Sequence, residues 1–169
     1  SFDRLDLLTD EIDRETHYAY DNLDRLTLLT LPDPDGASSA AAPVYHFAYN
    51  FDNNIAEELD PLGRTTTYEY FGRFLKKVKR PDHDNDGQLT ITSYEYDLAG
   101  RLKTVTDPLG RITAYDYGPR GLLISATLPD VDGQSPVYHT DYDKLGRVKS
   151  TTDPLGRITR YTYANAGRQ

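Results

Sequence analysis

The 169 residues carry a net charge of -8, with a sequence pI near 4.9 and a mean hydropathy of -0.68. That balance argues against nucleic acid or an anionic membrane surface as partner, since both select for clustered Lys and Arg; the basic run Lys76-Lys77-Val78-Lys79-Arg80 is followed at once by Asp82, Asp84 and Asp86. With no Cys, a disulfide framework, a thiolate metal site and a thiol nucleophile are all excluded, and there is no apolar run long enough to span a membrane as a helix.

In chain order the sequence repeats itself. A degenerate first turn signal, Asp10-Glu11-Ile12-Asp13-Arg14, leads to the pair Tyr18/Tyr20, and an acidic loop, Pro32-Asp33-Pro34-Asp35-Gly36, leads to Tyr49. Asp60-Pro61-Leu62-Gly63-Arg64 then leads to Tyr68/Tyr70, and the loop from Pro81 to Gly87 to Tyr94/Tyr96. Asp107-Pro108-Leu109-Gly110-Arg111 precedes Tyr115/Tyr117, the loop Pro129-Asp130-Val131-Asp132-Gly133 precedes Tyr142, and Asp153-Pro154-Leu155-Gly156-Arg157 precedes Tyr161/Tyr163. The second Tyr positions, from Tyr20 to Tyr163, are spaced by 29, 21, 26, 21, 25 and 21 residues, so two half-repeats alternate. Such self-similarity describes one supersecondary unit stacked on copies of itself. Residues 1–169 read as a single array of about three and a half double repeats. With no Met, and with Asp3-Arg4-Leu5 and Gly167-Arg168 matching the interior of a unit, the expectation is an excerpt of a larger protein.

Segments between the turn signals are short and rich in Thr, Tyr, Val and Ile without helical spacing, so they read as strands. In Asp107-Pro108-Leu109-Gly110, Pro presets φ, Asp accepts from a downstream N–H and Gly takes positive φ, which suits a type I turn with a Gly bulge. A second turn is expected after each Tyr pair, at Asp97-Leu98-Ala99-Gly100, Asp143-Lys144-Leu145-Gly146 and Ala164-Asn165-Ala166-Gly167, with Asp24 and Asn53 standing where Gly is expected. The fold class is therefore all-β: an antiparallel meander of hairpins, part of a curved sheet wetted on both faces, which the resemblance given below makes a spiralling one. Alternation places both Tyr of a pair on one face as a ladder, with Lys103, Val105 and Thr113 between copies, and Leu102, Ile112 and Ala114 on the other face.

Catalytic patterns fail. His46 and His139 fall in equivalent slots of the repeat, and a residue set by repeat position does not make the unique converging constellation a general base needs. The carboxylates fall in turns, where local hydrogen bonding accounts for them. One loop fits other chemistry: Asp82, Asp84 and Asp86 with Gly87 match positions 1, 3, 5 and 6 of a calcium loop, but Ser93 stands where the bidentate Glu belongs. A weak Ca²⁺ site and a solvated acidic turn both remain open there, and no other cofactor is expected.

The pattern Tyr-x-Tyr-Asp-x-x-Gly-Arg-Leu-x-x-x-Thr-Asp-Pro-x-Gly, nearly complete from Tyr94 to Gly110, resembles the Rhs or YD repeat of bacterial Rhs proteins, toxin-complex C-component cocoons and animal teneurins. The resemblance covers essentially the whole chain. It implies a strip that winds into a hollow shell enclosing a toxin cargo, in a secreted or cell-surface bacterial protein, with neighbouring repeats as partners and no enzymatic role. The alternative is an adhesive or filament-forming extracellular protein whose repeats stack between identical chains and whose Tyr, Thr and Asp surfaces bind or carry glycans.

The calcium alternative is decided by a thermal melt. If Asp82, Asp84 and Asp86 bind the ion, millimolar Ca²⁺ raises the melting temperature and Asp84→Ala abolishes the rise; an unchanged melt leaves the solvated turn.

Overall fold

The computed structural model describes residues 4–34, 41–82 and 88–164. These residues form fourteen strands and no helix, every pairing antiparallel and between strands consecutive in sequence. The chain divides into two compact units, Ser1–Ile91 and Thr92–Gln169.

The first unit holds β1 (Leu7–Thr9), β2 (Glu15–Tyr20), β3 (Leu26–Thr30), β4 (Val44–Tyr49), β5 (Ile55–Leu59), β6 (Thr65–Phe71) and β7 (Phe74–Pro81), and β8 (Leu89–Tyr96) begins in it. The second holds the rest of β8, then β9 (Leu102–Thr106), β10 (Ile112–Tyr117), β11 (Leu123–Thr127), β12 (Val137–Tyr142), β13 (Val148–Thr152) and β14 (Ile158–Arg160). Each unit is a plain meander, and its local physics is the turn. In Asp107–Arg111 the Gly110 N–H donates to Asp107 O at 2.9 Å and the Asp107 N–H to Arg111 O at 3.0 Å. Gly110 has φ of +77°, and Gly63 and Gly156 have +75° and +77°. The same two backbone bonds close the turns starting at Asp10, Asp21, Asn50, Asp97, Gly118 and Asp143. Where Gly is missing, Asp13, Asp24 and Asn53 hold φ of +59°, +62° and +63°, because Asp and Asn tolerate the left-handed region best among residues with a Cβ.

Two turns depart from the expected pattern. After Tyr70 the chain does not use a five-residue turn but a two-residue loop, Gly72-Arg73, closed by the Phe71–Phe74 pair. The acidic loop at Asp130 ends in a tight hairpin tip: Val131 and Gln134 exchange backbone bonds of 2.8 and 3.1 Å, with φ of +54° at Asp132 and +81° at Gly133. Two successive residues of positive φ are the requirement of a type I′ turn. The second-turn signal Asn165-Ala166-Gly167 and the loop residues 83–87, including Asp84 and Asp86, lie outside the described residues.

A register shift recurs at the second Tyr. Glu95 faces Thr104 but Tyr96 faces Leu102, so Lys103 is an extra residue. The same slip occurs at Tyr20, Tyr49, Tyr70, Tyr117 and Tyr142. This corrects the alternation argument, which put Leu102 on the face away from the tyrosines. A bulge adds one residue and resets the phase, so Leu102 is returned to a place opposite Tyr96.

Neither unit has a thick core. Among the described residues Val78, opposite Tyr68, is the one buried apolar side chain, at 2% exposure. Ser125 and Ser150 are also buried, and each hydroxyl donates at 3.0 Å to the carboxylate directly across the ladder, Asp116 or Asp141. Thr104 does the same to Glu95 at 3.1 Å. Cross-strand pairs thus replace a core as the unit of stabilisation.

A Cβ on Gly110 would meet no atom within 4 Å, so Gly110→Val tests backbone strain without a clash. The expected loss is about 1–2 kcal/mol from a β-branched residue at positive φ, against a much smaller loss for Gly110→Asn, read from urea unfolding midpoints. Equal losses for Val and Asn would contradict the strain account.

Candidate functional site

The recurring site is assembled from the turn carboxylate outward. Asp97 Oδ1 accepts from the backbone N–H of Ala99 at 2.9 Å and of Arg101 at 3.0 Å, while Oδ2 accepts from Arg101 Nε at 2.7 Å. Asp10, Asp21, Asp60, Asp107, Asp143 and Asp153 make the same set of three. The carboxylate thus takes the place of a backbone acceptor inside the turn and fixes the arginine that follows it. Bonding of the charged form lowers the carboxyl pKa. At Asp97 and Asp21 the side-chain bond from the arginine is the largest cause; at Asp10, Asp143 and Asp153 it is the arginine backbone N–H. At Asp60 and Asp107 partial desolvation is the largest influence and opposes the shift, but the bonds from the arginine and its neighbour together outweigh it.

The arginines then divide by strand end. Those of the Asp-Pro-Leu-Gly turns point to solvent, whereas at the other strand end they lie on tyrosine rings. Arg101 lies over Tyr117 at 4.6 Å, Arg147 over Tyr163 at 4.3 Å, Arg25 over Tyr49 at 4.7 Å and Arg4 over Tyr20 at 5.2 Å from the centroid, all within cation–π range. Each of those rings also donates its hydroxyl to a backbone carbonyl of the preceding strand or the segment leading to it. Tyr117 bonds Leu102 O at 2.9 Å, Tyr163 bonds Val148 O at 2.7 Å, Tyr49 bonds Leu26 O at 2.8 Å and Tyr20 bonds Leu5 O at 3.0 Å. Tyr142 bonds Leu123 O at 2.8 Å without an arginine above it, since Leu122 stands in that turn position.

In the second unit these contacts form a rail. Tyr96 faces Leu102, whose carbonyl holds Tyr117; Tyr117 faces Leu123, whose carbonyl holds Tyr142; Tyr142 faces Val148, whose carbonyl holds Tyr163. The first members of the pairs lie deeper along the strands: Tyr18 faces Leu29, Tyr68 faces Val78, Tyr94 faces Val105 and Tyr115 faces Ala126. Tyr161 follows β14 and is half exposed. Burial raises the pKa of Tyr49, Tyr70 and Tyr96, and of Tyr68, where the Glu58 carboxylate adds to it. Sequence reasoning placed the tyrosines but missed the arginine stack. Its signal was present: Arg4 to Tyr20, Arg101 to Tyr117 and Arg147 to Tyr163 are each 16 residues apart.

The histidines are scattered. His17 Nε2 lies 3.1 Å from Glu15 Oε2, both half exposed. His46 lies between Leu28 and Leu59, and His139 between Ser125 and Thr152. Open depressions of about 400, 440 and 480 Å³ adjoin His17, His46 and His139 respectively. Among the described residues no group of three or more His, Cys, Asp and Glu is placed to hold a metal ion. Asp82 closes its loop through a 3.0 Å bond from its N–H to Gln88 O.

The chain is similar to known proteins in repeat sequence and in fold. The RHS Repeat family matches residues 96–130 and 142–169, the two stretches that contain the Asp97, Asp107, Asp143 and Asp153 turns. No curated protein matches the chain in sequence. Among solved structures, the TcdB2-TccC3-Cdc42 complex is similar over 83% of this chain, at 15% identity and a TM-score of 0.68. TcdB2-TccC3 without its hypervariable C-terminal region gives 83%, 13% and 0.67, and TcdB2-TccC3-TEV gives 89%, 15% and 0.60. This chain spans 8 to 10% of the length of those chains.

The lowered carboxyl pKa values set a pH dependence. A depressed folded-state pKa contributes stability that is present above the unfolded value, near 3.8, and is lost as pH falls through the folded one. The unfolding midpoint is therefore expected to hold between pH 7 and pH 5 and to fall below about pH 4. Replacing Asp97 and Asp143 together by Asn should flatten that acid limb while lowering the plateau. An unchanged acid limb in the double variant would show that other carboxylates control it.

Proposed function

The chain is an Rhs/YD-repeat protein, and on that premise we propose that it is a wall segment of a large shell that sequesters a toxic cargo, within a secreted or cell-surface bacterial protein. The tyrosines and Asp-Pro-x-Gly turns serve the wall, and the chain contributes no catalytic group. The observation that carries this reading is the repetition of the Asp–Arg–Tyr clasp. A catalytic centre requires unlike groups converging once, whereas here the same few contacts recur at Asp21, Asp97 and Asp143 and each histidine lies apart. A wall needs the opposite property, one unit whose geometry passes unchanged to the next. The fold likeness to TcdB2-TccC3 chains far longer than this one supports the same reading, with further repeats as immediate partners.

In the parent polypeptide, removing one full period, residues 97–142, should expose the enclosed cargo to added protease while the remaining repeats still fold. The measurement is the cleavage rate of the cargo with and without the deletion. Unchanged protection, or a cargo equally cleavable in the intact protein, would overturn the shell role. Assembly of the isolated chain into long filaments would favour the adhesive alternative.

A further inference from the structure

Among the described five-residue turns, the first side chain supplies an oxygen to the N–H groups of the third and fifth residues in every copy but one. Asp supplies a carboxylate oxygen at seven of them, and at Asn50 the amide oxygen accepts from Asp52 and Asn54. In the turn Gly118-Pro119-Arg120-Gly121-Leu122 the first residue has no side chain to offer. The backbone is otherwise the same: Gly118 N–H donates to Leu122 O and Gly121 N–H to Gly118 O, both at 2.9 Å, and Gly121 holds φ of +76° against +77° at Gly100. The Arg120 and Leu122 N–H groups therefore converge as those of Ala99 and Arg101 do on Asp97 Oδ1. No described residue accepts from either.

An open depression of about 140 Å³ adjoins this turn, bordered by Gly118, Pro119, Arg120, Leu122, Ile124 and Asp141 among others. It is large enough for a group the size of acetate. The two charges on its rim differ in how they are held. The Asp141 carboxylate accepts from the Ser150 hydroxyl at 3.0 Å. The Arg120 guanidinium bonds the carbonyls of Asp143 and Lys144 at 2.9 and 3.1 Å, contacts that fix it in place without offsetting its charge. Successive backbone N–H groups in a turn make a concavity that takes an anion. Leu122 and Ile124 add an apolar wall, which favours an anion with an apolar end over a fully hydrated ion.

We propose that the turn from Gly118 to Leu122 binds a carboxylate in trans. One oxygen of the ligand accepts from the Arg120 and Leu122 N–H groups, at the place where Asp97 and Asp143 put their own Oδ1. The ligand is a small carboxylate, either free or at the end of an acidic side chain of a partner polypeptide. Hydrogen bonds to a charged acceptor are the strong ones, but the usual third bond is missing: Oδ2 of the other turns takes an arginine Nε, and Leu122 has none to give. The affinity therefore falls in the millimolar range. The site stands apart from the wall reading, since it follows from one turn's departure from its copies.

Backbone amide signals report the site directly. In nitrogen–proton correlation spectra of the full chain, sodium acetate should shift the Arg120 and Leu122 amides saturably. Those of Ala99, Arg101, Leu145 and Arg147, which already face a carboxylate, should stay in place. Gly118→Asp supplies the oxygen in cis and should abolish the response while raising the melting temperature. Gly118 is not at positive φ, but an added Cβ would lie 3.2 Å from Ile124 Cγ2. The same substitution is therefore also made with Ile124→Ala, because Ala56 holds the equivalent position after the Asn50 turn. The source of the carboxylate is read with N-acetyl-aspartate N-methylamide, and its neutral asparagine analogue should bind about fivefold more weakly or worse. Tighter binding of the aspartate derivative than of acetate assigns a partner's side chain, the reverse order assigns a free carboxylate, and both support the site. No saturable shift with either carboxylate, equal shifts from sodium chloride at matched ionic strength, or equal shifts from the asparagine analogue would overturn the proposal.

Discussion

Positive φ at the fourth position of each five-residue turn, from +59° at Asp13 to +82° at Gly146 among the described residues, is the constraint on which the rest of the structure depends. A sheet with one layer has no second sheet or helix to press against, and Val78 is its one buried apolar side chain among the described residues. Apolar burial, ordinarily the dominant favourable contribution, is therefore spread thinly over half-exposed pairs such as Tyr117 and Leu123. Under that constraint strand register cannot be set by a core and must be set locally. The left-handed fourth residue and the two backbone bonds of the turn do this, and where Asp opens the turn its carboxylate reinforces them by taking two backbone N–H groups and an arginine at once. The bulge at Lys103, six residues on from Asp97, then returns Leu102 to a place opposite Tyr96.

From that point the arginine links turns to tyrosines. Held by Asp97 on one side, Arg101 has its guanidinium over Tyr117, and Tyr117 reaches the carbonyl of Leu102, the residue after the arginine. The contact joins a turn to the end of a strand two places further on, so the turns at Asp21, Asp97 and Asp143 each brace the next hairpin. Surface ion pairs alone contribute little. Here the pair matters less for its Coulomb energy than for orienting a planar cation on a ring, and less again than for the backbone bonds on the same carboxylate.

Much of this was legible in the sequence because the repeat supplies several readings of each position. The strands, the Asp-Pro-Leu-Gly turns and the tolerance of Asp24 and Asn53 for positive φ follow from local chemistry, which a single chain reveals. The face of Leu102 did not follow, because strict alternation holds only for an unbroken ladder and a bulge depends on how two strands meet. The Arg101 to Tyr117 stack was hidden for a related reason: it joins residues 16 apart through a hairpin whose register had to be known first. The two-residue loop at Gly72-Arg73 was hidden because Phe71 and Phe74 close a tighter turn without the Asp-x-x-Gly signature.

The imperfect copies act as a mutational series already present in the chain. Asn50 replaces Asp and still accepts from the N–H groups of Asp52 and Asn54 at 2.9 and 3.0 Å, so the negative charge is dispensable to the turn. Gly118 offers no side chain at all, yet its turn closes with the same two 2.9 Å backbone bonds and a left-handed Gly121 at φ +76°. Leu122 replaces the arginine, and Tyr142 keeps its hydroxyl bond to Leu123 O. The positive φ at the fourth turn position survives in every one of these copies, while the carboxylate and the arginine do not. The order of necessity is therefore backbone conformation first, tyrosine-to-carbonyl bond second, carboxylate third and cation stack last. That order is the one expected of a scaffold, in which geometry must pass from unit to unit and individual charged groups may lapse without breaking the strip.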